Sequence, residues 1–170
     1  MESVFQNMAD HFNSLGPQKT NNAVIYTRVS TKEQADNRAS LTTQREACER
    51  YAQERGLNVV ECFGGTFESA KTDERKEFQK MIGFLKRRSN VSYIIVYSYD
   101  RFSRSGTNGA YISEELKKRG TSILSVTQKV DPDSDGGWLQ ENLYHLFSKL
   151  DNQQRKTKCV AGIITKLREG

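Results

Sequence analysis

Two short segments of the sequence combine residue types that handle phosphate groups. In the first, Arg28 and Ser30 end an apolar run and lie two residues apart, so in an extended strand both side chains point to the same face. In the second, Asp100, Arg101 and Arg104 come directly after another apolar run. Guanidinium groups commonly bind phosphate through paired hydrogen bonds, so the two segments together predict an anion site beside a serine.

Each segment also has a plainer interpretation. The run from Ser30 to Glu33 matches a capping box, in which the hydroxyl only caps a helix, although residues 34–39 supply no apolar run for such a helix. The charges of Asp100, Arg101 and Arg104 could form an ordinary loop ion pair, which contributes little to stability. Taken together, however, three arginines at one sheet edge would repel one another, and an anion would relieve that repulsion.

The chemistry of such a site follows from its charges. A serine nucleophile ordinarily needs a neighbouring base, and neither His11 nor His145 is close to either segment in the sequence. Positive donors around a phosphodiester lower the barrier in another way, because they stabilise charge that develops in the transition state. The residues therefore favour phosphoryl transfer over acyl transfer, and the base that deprotonates Ser30 stays unassigned.

Composition narrows the class of protein. The chain has 170 residues, of which 35% are hydrophobic, which is enough for one domain with a core. Its net charge of +5 suits a polyanionic partner. Three cysteines without paired spacing, and the lack of a leader or a bilayer-length apolar run, fit free thiols in a cytoplasmic protein. Two histidines without a Cys-x-x-Cys motif argue against a metal, and no glycine-rich phosphate loop is present.

Apolar periodicity predicts strands that alternate with helices. The predicted strands cover residues 23–29, 57–63, 91–97 and 122–127, and the predicted helices cover residues 42–55, 75–88 and 107–118. This order is typical of an α/β fold with a mainly parallel sheet of four to five strands flanked by helices. Such folds place their sites in loops at the carboxyl ends of the strands, where both phosphate-type segments fall.

The two ends of the chain differ from the α/β region predicted for residues 21–136. Residues 1–20 form an N-terminal extension, with one helical face made by Val4, Phe5, Met8, Phe12 and Leu15. The pattern over residues 137–170 predicts a long C-terminal helix. Its length of roughly 45 Å exceeds the width of a small domain, so part of it must project beyond the domain. We expect its first half, where Leu139, Leu143, Leu146, Phe147 and Leu150 occur at helical spacing, to cover the core. Its basic middle would then reach a partner helix or a phosphate backbone, or be simply solvated.

These ordered motifs resemble the catalytic domain of serine site-specific recombinases, the resolvase/invertase family, and especially its large serine integrase and transposon recombinase branch. The resemblance covers about residues 22–170 and is carried by Tyr26-x-Arg28-Val29-Ser30-Thr31-x-x-Gln34, Ser40-Leu41-x-x-Gln44, Arg75 and Asp100-Arg101-Phe102-Ser103-Arg104-Ser105. It implies a resolvase-like fold and site-specific DNA recombination, in which strands are cut and rejoined through a 5′-phosphoserine intermediate. It further implies that no metal or high-energy cofactor is needed.

The resemblance also implies roles for individual residues. Ser30 would be the nucleophile, and the scissile phosphate would be bound by Arg28, Arg75, Arg101 and Arg104. Arg101 would donate a proton to the leaving 3′ oxygen, Asp100 would orient the arginines, and Gln34 and Gln44 would be polar support. The long helix would mediate dimer contacts and cross the minor groove of DNA, with backbone contacts from Arg155, Lys156 and Lys158. The implied partners are double-stranded DNA and a homodimer that assembles into a synaptic tetramer, with a recombination directionality factor as a further candidate.

Some features depart from the family pattern. The acidic residue that is often followed by arginine in the long helix occurs here as Asp151-Asn152, so we assign no dimer-regulating role to Asp151. No helix-turn-helix or zinc module is recognisable, so we interpret the chain as a catalytic fragment. Two other functions stay open at this point, a non-catalytic module for oligomerisation and DNA tethering and a metal-independent phosphodiesterase that does not rejoin strands.

Overall fold

A four-stranded parallel sheet forms the centre of the described chain, which the computed structural model covers at residues 19–28, 38–64, 73–103 and 106–168. Its strands are β1 (Asn22–Thr27), β2 (Asn58–Gly64), β3 (Tyr93–Val96) and β4 (Ser122–Ser125), in the order β2-β1-β3-β4. The helices are α1 (Arg38–Glu54), α2 (Asp73–Arg87), α3 (Tyr99–Phe102), α4 (Gly106–Lys117) and α5 (Asp135–Arg168). The predicted α/β fold with a parallel sheet and a long C-terminal helix is therefore confirmed.

Helices cover both faces of the sheet because side chains alternate along each strand. Val24 and Tyr26 of β1 belong to a core shared with α2 and α4, whereas Ala23 and Ile25 belong to a second core with α1. The residues that α1 contributes to this second core are Cys48, Tyr51 and Ala52. Since each helix after a strand starts at the carboxyl edge, the starts of α1, α2 and α4 surround that edge.

The segment after β3 is not the polar loop that the sequence predicts over residues 98–106. It contains the short helix α3, in which Tyr99 and Phe102 are both 1% exposed. Residues three apart in a helix share a face, so folding this segment buries two aromatic rings together. The burial of both rings stabilises a helical turn in a stretch that is otherwise polar.

The first half of α5 packs with the opposite face from the one that the sequence predicts. Its leucines and Phe147 are exposed, and the residues that contact the rest of the fold are Glu141, Tyr144, His145 and Ser148. Every described side chain from 149 to 168 is exposed, as expected for a helix of 34 residues, or about 51 Å, that projects beyond the domain. The prediction that the leucines cover the core is wrong, because a polar cluster takes that place.

Candidate active site

The two phosphate-type segments meet at the carboxyl edge of the sheet. Strands β1 and β3 are neighbours and run parallel, with Tyr26 opposite Val96. Arg28 comes just after the end of β1, and α3 begins at Tyr99, three residues after the end of β3. The parallel pairing therefore brings Arg28 and α3 together, as the sequence predicts.

Arg28 contacts the backbone of α3 directly. Its guanidinium Nε donates to the carbonyl oxygen of Arg101 at 3.0 Å, and its Nη2 donates to the carbonyl oxygen of Asp100. The last carbonyl groups of a helix lack partners within the helix, so a cation at this end satisfies them. Arg28 is 5% exposed, and these contacts fix its orientation below the surface of the site.

Asp100 and Arg101 complete a group of charges at this edge, which we call the arginine cluster: Arg28, Asp100 and Arg101. Arg101 Nη1 lies 3.5 Å from Asp100 Oδ2, and Asp100 Oδ1 accepts a hydrogen bond from Ser98. Within the described part of the chain, Arg101 Nε and Nη1 are buried and make no hydrogen bond. Buried donors are almost always paired, so these two Arg101 nitrogens are groups that a bound anion would satisfy.

Aromatic contacts behind α3 hold the arginine cluster in place. Phe102 packs edge-on against Phe78 of α2 at 5.4 Å between ring centroids, and Tyr99 stacks on Tyr144 of α5 at 5.5 Å. Burial raises the pKa of the Tyr99 hydroxyl, so that ring stays neutral. The backbone carbonyls that bind Arg28 are therefore anchored to two other helices.

His145 contacts the second segment although it is 45 residues away from Asp100 in sequence. Its ring lies 5.4 Å from the ring of Tyr99 and 6.1 Å from that of Phe102. His145 is thus distant from both segments in the sequence but close to the second one in the fold, because α5 runs back along α4 as far as α3. The sequence signal for it is the pair Glu141 and His145, which are four residues apart and interrupt an apolar helix.

A second buried polar group, which we call the α4–α5 cluster, consists of Ser113, Lys117, Glu141 and His145. Glu141 Oε2 lies 2.6 Å from Lys117 Nζ, Glu141 Oε1 accepts from Ser113, and His145 Nε2 is 3.8 Å from Glu141 Oε1. The helices approach closely at Gly109, where an added Cβ would lie 2.8 Å from His145 Nδ1. Sequence reasoning missed this cluster, because its partners come from two separate helices.

The remaining predicted site residues are placed in part. Ser30, Gln34 and Arg104 lie outside the described residues. Arg75 belongs to the first turn of α2, as predicted, but its side chain is outside the description. Gln44 is buried in α1, and its Oε1 has no hydrogen-bond partner among the described residues.

The ends of β1 and β2 approach each other beside this edge. Gly64 has φ of 93°, and a Cβ at that position would lie 1.9 Å from the carbonyl oxygen of Thr27. Its backbone N–H also donates to Glu77 of α2 at 3.3 Å. Next to these residues is a cavity of 200 Å³, lined by Thr27, Leu41 and Arg45 among others. The glycine therefore holds the first turns of α2, and with them Arg75, close to the end of β1.

On α5, the predicted DNA-contacting residues whose side chains the structure describes lie on the surface. Lys156 and Lys158 are exposed, and Arg155 lies in the same helix with its side chain outside the description.

Among the described residues, no three His, Cys, Asp or Glu side chains come together as a metal site would require. None of the helices in the described ranges has the length and apolar character needed to cross a membrane.

Comparison with known families gives one match that covers most of the chain. Residues 23–170 match the family model described as "Resolvase, N terminal domain". A protein of Bacillus subtilis (strain 168) that is provisionally named a DNA recombinase is 29% identical over 146 residues. The matched region is 86% of this chain but only 28% of that protein, so the chain spans little more than a quarter of its relative's length.

Solved structures with a similar fold have related descriptions. A resolvase family site-specific recombinase from Streptococcus pneumoniae gives a TM-score of 0.63 at 23% identity, over 86% of this chain and 98% of that one. The N-terminal catalytic domain of TP901-1 integrase gives 0.59 at 24%, over 78% and 98%. Both likenesses show the fold alone. The C-terminal catalytic domain of ISC1926 TnpA, an IS607-like serine recombinase, gives 0.53 at 28% identity, over 88% and 99%.

Proposed function

Because the chain belongs to the resolvase N-terminal domain family, we propose that it is the catalytic part of a site-specific DNA recombinase that acts through Ser30. The observation that carries this proposal is the arginine cluster, in which Arg101 has two buried donors without hydrogen-bond partners in the described chain. A DNA phosphodiester supplies the anion that the cluster requires. Ser30 follows Arg28 by two residues in the sequence, which supports its assignment as the hydroxyl that attacks a phosphate bound by the cluster.

In the proposed reaction, the Ser30 hydroxyl attacks the phosphorus atom of one DNA strand. The new bond joins Ser30 to the 5′ phosphate, and the bond between phosphorus and the 3′ oxygen breaks. As the new bond forms, the proton of the Ser30 hydroxyl passes to a base that stays unassigned. Arg101 supplies a proton to the leaving 3′ oxygen and regains one from solvent, while Arg28, Arg75 and Arg104 stabilise the charge on the other oxygens. The phosphoserine ester keeps the energy of the broken phosphodiester, so a 3′ hydroxyl can attack it and rejoin the strand without a high-energy cofactor.

The supporting residues have separate roles in this proposal. Asp100 bridges Ser98 and Arg101, and thereby fixes the direction of the Arg101 guanidinium. Arg28 uses two of its donors on the α3 backbone, which suits a residue that both shapes the site and adds positive charge. Gln34 and Gln44 contribute polar groups around the phosphate. Asp100 and the α3 carbonyls thereby orient the guanidinium donors, and correct orientation of such donors is a large part of what lowers the reaction barrier.

The division of the chain follows from the same proposal. Residues 21–136 form the catalytic domain, residues 1–20 an N-terminal extension, and residues 137–170 a helix for assembly and DNA contact. The exposed stripe on α5 includes Leu143 at 42% and Phe147 at 55% exposure, and a continuous apolar face of this kind is typical of a protein interface. We assign it to a second copy of the chain, in a homodimer that forms a synaptic tetramer.

Farther along α5, basic residues suit a DNA backbone. Lys156 and Lys158 are exposed on a helix that projects beyond the core, and Arg155 lies between them and the catalytic domain. Contacts of this type are strongly weakened by salt and carry little sequence information. Recognition of a target site therefore requires further contacts beyond those of residues 155–158.

A covalent trap tests the function. The full-length protein is incubated with DNA that carries its recombination site and a nick, which prevents rejoining, and the 5′ end is examined for attached protein. Wild type should give the adduct and Ser30→Ala should give none. Thr127→Ala is the matched control, because it removes a hydroxyl at the same sheet edge that only bonds the Tyr97 carbonyl. An adduct with Ser30→Ala would overturn the assignment of the nucleophile, and nicking by wild type without any adduct would favour a hydrolytic phosphodiesterase.

A further inference from the structure

A groove of 630 Å³, which we call the basic groove, lies between the C-terminal halves of α2 and α4. It ends at Ser89 and Thr121, which shortly precede β3 and β4, so it opens at the amino edge of the sheet, opposite the arginine cluster. Tyr111, which is 68% exposed, forms part of one wall. The floor is apolar and consists of Ile82, Leu85, Ile112 and Leu116. A concave apolar surface of this kind suits a large side chain of a partner.

The rim of the basic groove holds most of the net charge of the chain. Its five cations are Lys86, Arg87, Arg88, Lys118 and Arg119. With one carboxylate, that of Glu115, the lining has a net charge of +4, compared with +5 for the whole chain. Glu115 pairs with Lys118 at 2.9 Å, and Arg88 is held over the Phe84 ring at 4.8 Å from its centroid. The excess charge favours an acidic occupant, and the apolar floor favours a protein over a nucleic acid.

A second surface of the described chain has the complementary character. Trp138, the one tryptophan of the sequence, is 53% exposed. The exposed Glu114 lines the same small cleft as Trp138, and the exposed Asp131 lies beside the first turn of α5. Gly137 permits this approach, because a Cβ there would collide with the Asp131 carbonyl oxygen, and its N–H donates to Ser134 Oγ at 2.9 Å. We call Glu114, Asp131 and Trp138 the tryptophan patch.

The basic groove and the tryptophan patch lie on adjacent flanks of α4. Tyr111 and Glu115 line the groove, whereas Glu114 and Lys117 line the cleft that contains Trp138. Successive residues of a helix are about 100° apart, so the two flanks are neighbours, and α4 separates Trp138 from the groove of its own chain. Two complementary surfaces that are neighbours on one molecule can pair reciprocally with those of a second copy across a two-fold axis.

We propose that the basic groove binds the tryptophan patch of a second copy of the chain, in a reciprocal two-fold contact. Trp138 of one copy lies on the apolar floor of the other, and Glu114 and Asp131 approach the cations of the rim. Tryptophan and arginine are enriched among the residues that dominate the energy of protein interfaces. Neither surface includes the arginine cluster or the α5 stripe with Leu143 and Phe147, so the contact is independent of the proposed function.

Photocrosslinking in the full chain tests this contact. p-Benzoylphenylalanine replaces Trp138, and isotope-labelled chains are mixed with unlabelled ones, so that mass spectrometry distinguishes crosslinks between copies from those within one chain. We expect crosslinks between copies to residues 82–89. The matched control places the same photoreactive residue at Gln140, which is exposed about 200° around α5 from Trp138, and should give a clearly lower yield to that peptide.

Charge reversals test the complementarity. The double variant Arg87→Glu, Arg119→Glu should lower the yield between copies about two- to fivefold, because exposed charge pairs contribute only modestly. The variant Glu114→Arg, Asp131→Arg should lower it similarly, and the four changes combined should restore much of it, because the two surfaces then attract each other with exchanged charges. The control reversal of Arg50 and Arg55, two exposed arginines of the α1 region on the other face of the sheet, should not change the yield.

Several results would overturn the proposal. These are crosslinks to residues 82–89 that stay within one chain, equal yields from positions 138 and 140, no crosslink to α2, and no recovery when the charges are exchanged. Loss of the crosslink in Phe147→Glu would assign the contact to the α5 stripe instead, whereas we expect the yield to persist in that variant. If the reversal of Arg87 and Arg119 lowers affinity for duplex DNA but leaves the yield unchanged, the rim serves a nucleic acid and the proposal is wrong.

Discussion

The arginine cluster and the α4–α5 cluster are two charged groups that both adjoin α3, but they differ in burial: the Asp100 side chain is 40% exposed, whereas that of Glu141 is 2% exposed. In the α4–α5 cluster, the Glu141 carboxylate is matched by the Lys117 ammonium and by the Ser113 hydroxyl. In the arginine cluster, Arg101 lies beside the Asp100 carboxylate, but its Nε and Nη1 are buried without a hydrogen-bond partner in the described chain. The charge of Glu141 is thus balanced by a residue of the protein itself, although both ring nitrogens of His145 have no hydrogen-bond partner among the described residues. In the proposed function, the buried Arg101 donors are instead satisfied by the DNA phosphate.

This difference indicates how to separate structural from functional polar groups. A buried charge whose partner is also in the chain stabilises one arrangement of helices, and its removal leaves that partner uncompensated. A buried charge without a partner costs stability in the free protein and is explained by what it binds. Loss of a residue should therefore affect folding in the α4–α5 cluster and reaction rate in the arginine cluster.

The largest effect is expected from Arg101→Ala. Its cleavage rate should fall by about 10²- to 10³-fold, the scale expected for a lost transition-state donor. The affinity for DNA should change little, because many backbone contacts share it, and the melting temperature should stay the same or rise slightly as repulsion with Arg28 is relieved. Single-turnover cleavage of nicked DNA, a binding titration and thermal unfolding measure the three quantities.

Arg45→Ala is the control for this variant. Arg45 is an exposed arginine near the same edge that pairs with Glu49 at 2.8 Å, so its loss should leave all three quantities nearly unchanged. If Arg101→Ala lowers binding and cleavage equally, Arg101 only holds the phosphate. If it lowers the melting temperature strongly, the distinction between the two clusters is wrong.

Much of the arginine cluster was predictable from sequence because it depends on local rules. Parallel strands bring their carboxyl ends to one edge, so an apolar run followed by Arg28 and another followed by Asp100 are expected to meet there. The strands and most helices are likewise set by apolar periodicity. What the sequence did not predict is α3, because two aromatic residues three apart in a polar stretch form a helix only when other helices cover their rings.

The orientation of α5 was not predictable from the same rules. Periodicity shows that Leu143 and Phe147 share a face, but it does not tell whether that face meets the core of the same chain or a partner. The polar face of α5 packs against the domain because Glu141 contacts Lys117 and Ser113 there, and His145 packs against Gly109. Such matching depends on two helices that are distant in sequence.

An intermediate effect is expected from Glu141→Ala, which should lower the stability of the fold. Removal of this carboxylate leaves Lys117 and Ser113 without their partner in a buried place, so the free energy of unfolding should fall by about 2–4 kcal/mol. Urea unfolding measures it, and Gln140→Ala, which changes the exposed neighbour, is the control. The double variant Glu141→Leu, Lys117→Met should recover much of the loss. If Glu141→Ala is as stable as the control, the cluster does not hold α5 against α4.

The smallest effect is a pH dependence of stability that arises from Glu141 in the α4–α5 cluster. Burial by itself would raise the pKa of Glu141, but the neighbouring His145, Lys117 and Ser113 lower it below its ordinary value of 4.5. A carboxyl group with a lowered pKa in the folded state stabilises the fold above its unfolded pKa, and this contribution is lost as the pH falls through the folded pKa. The difference in unfolding free energy between wild type and Glu141→Gln should therefore be constant near neutral pH and shrink below about pH 4.5.

Taking the difference cancels the titration of carboxyl groups elsewhere in the chain. Urea unfolding of both proteins from about pH 7 to about pH 3 measures it, and a difference that grows towards acid would mean that the Glu141 carboxyl group is protonated in the folded protein.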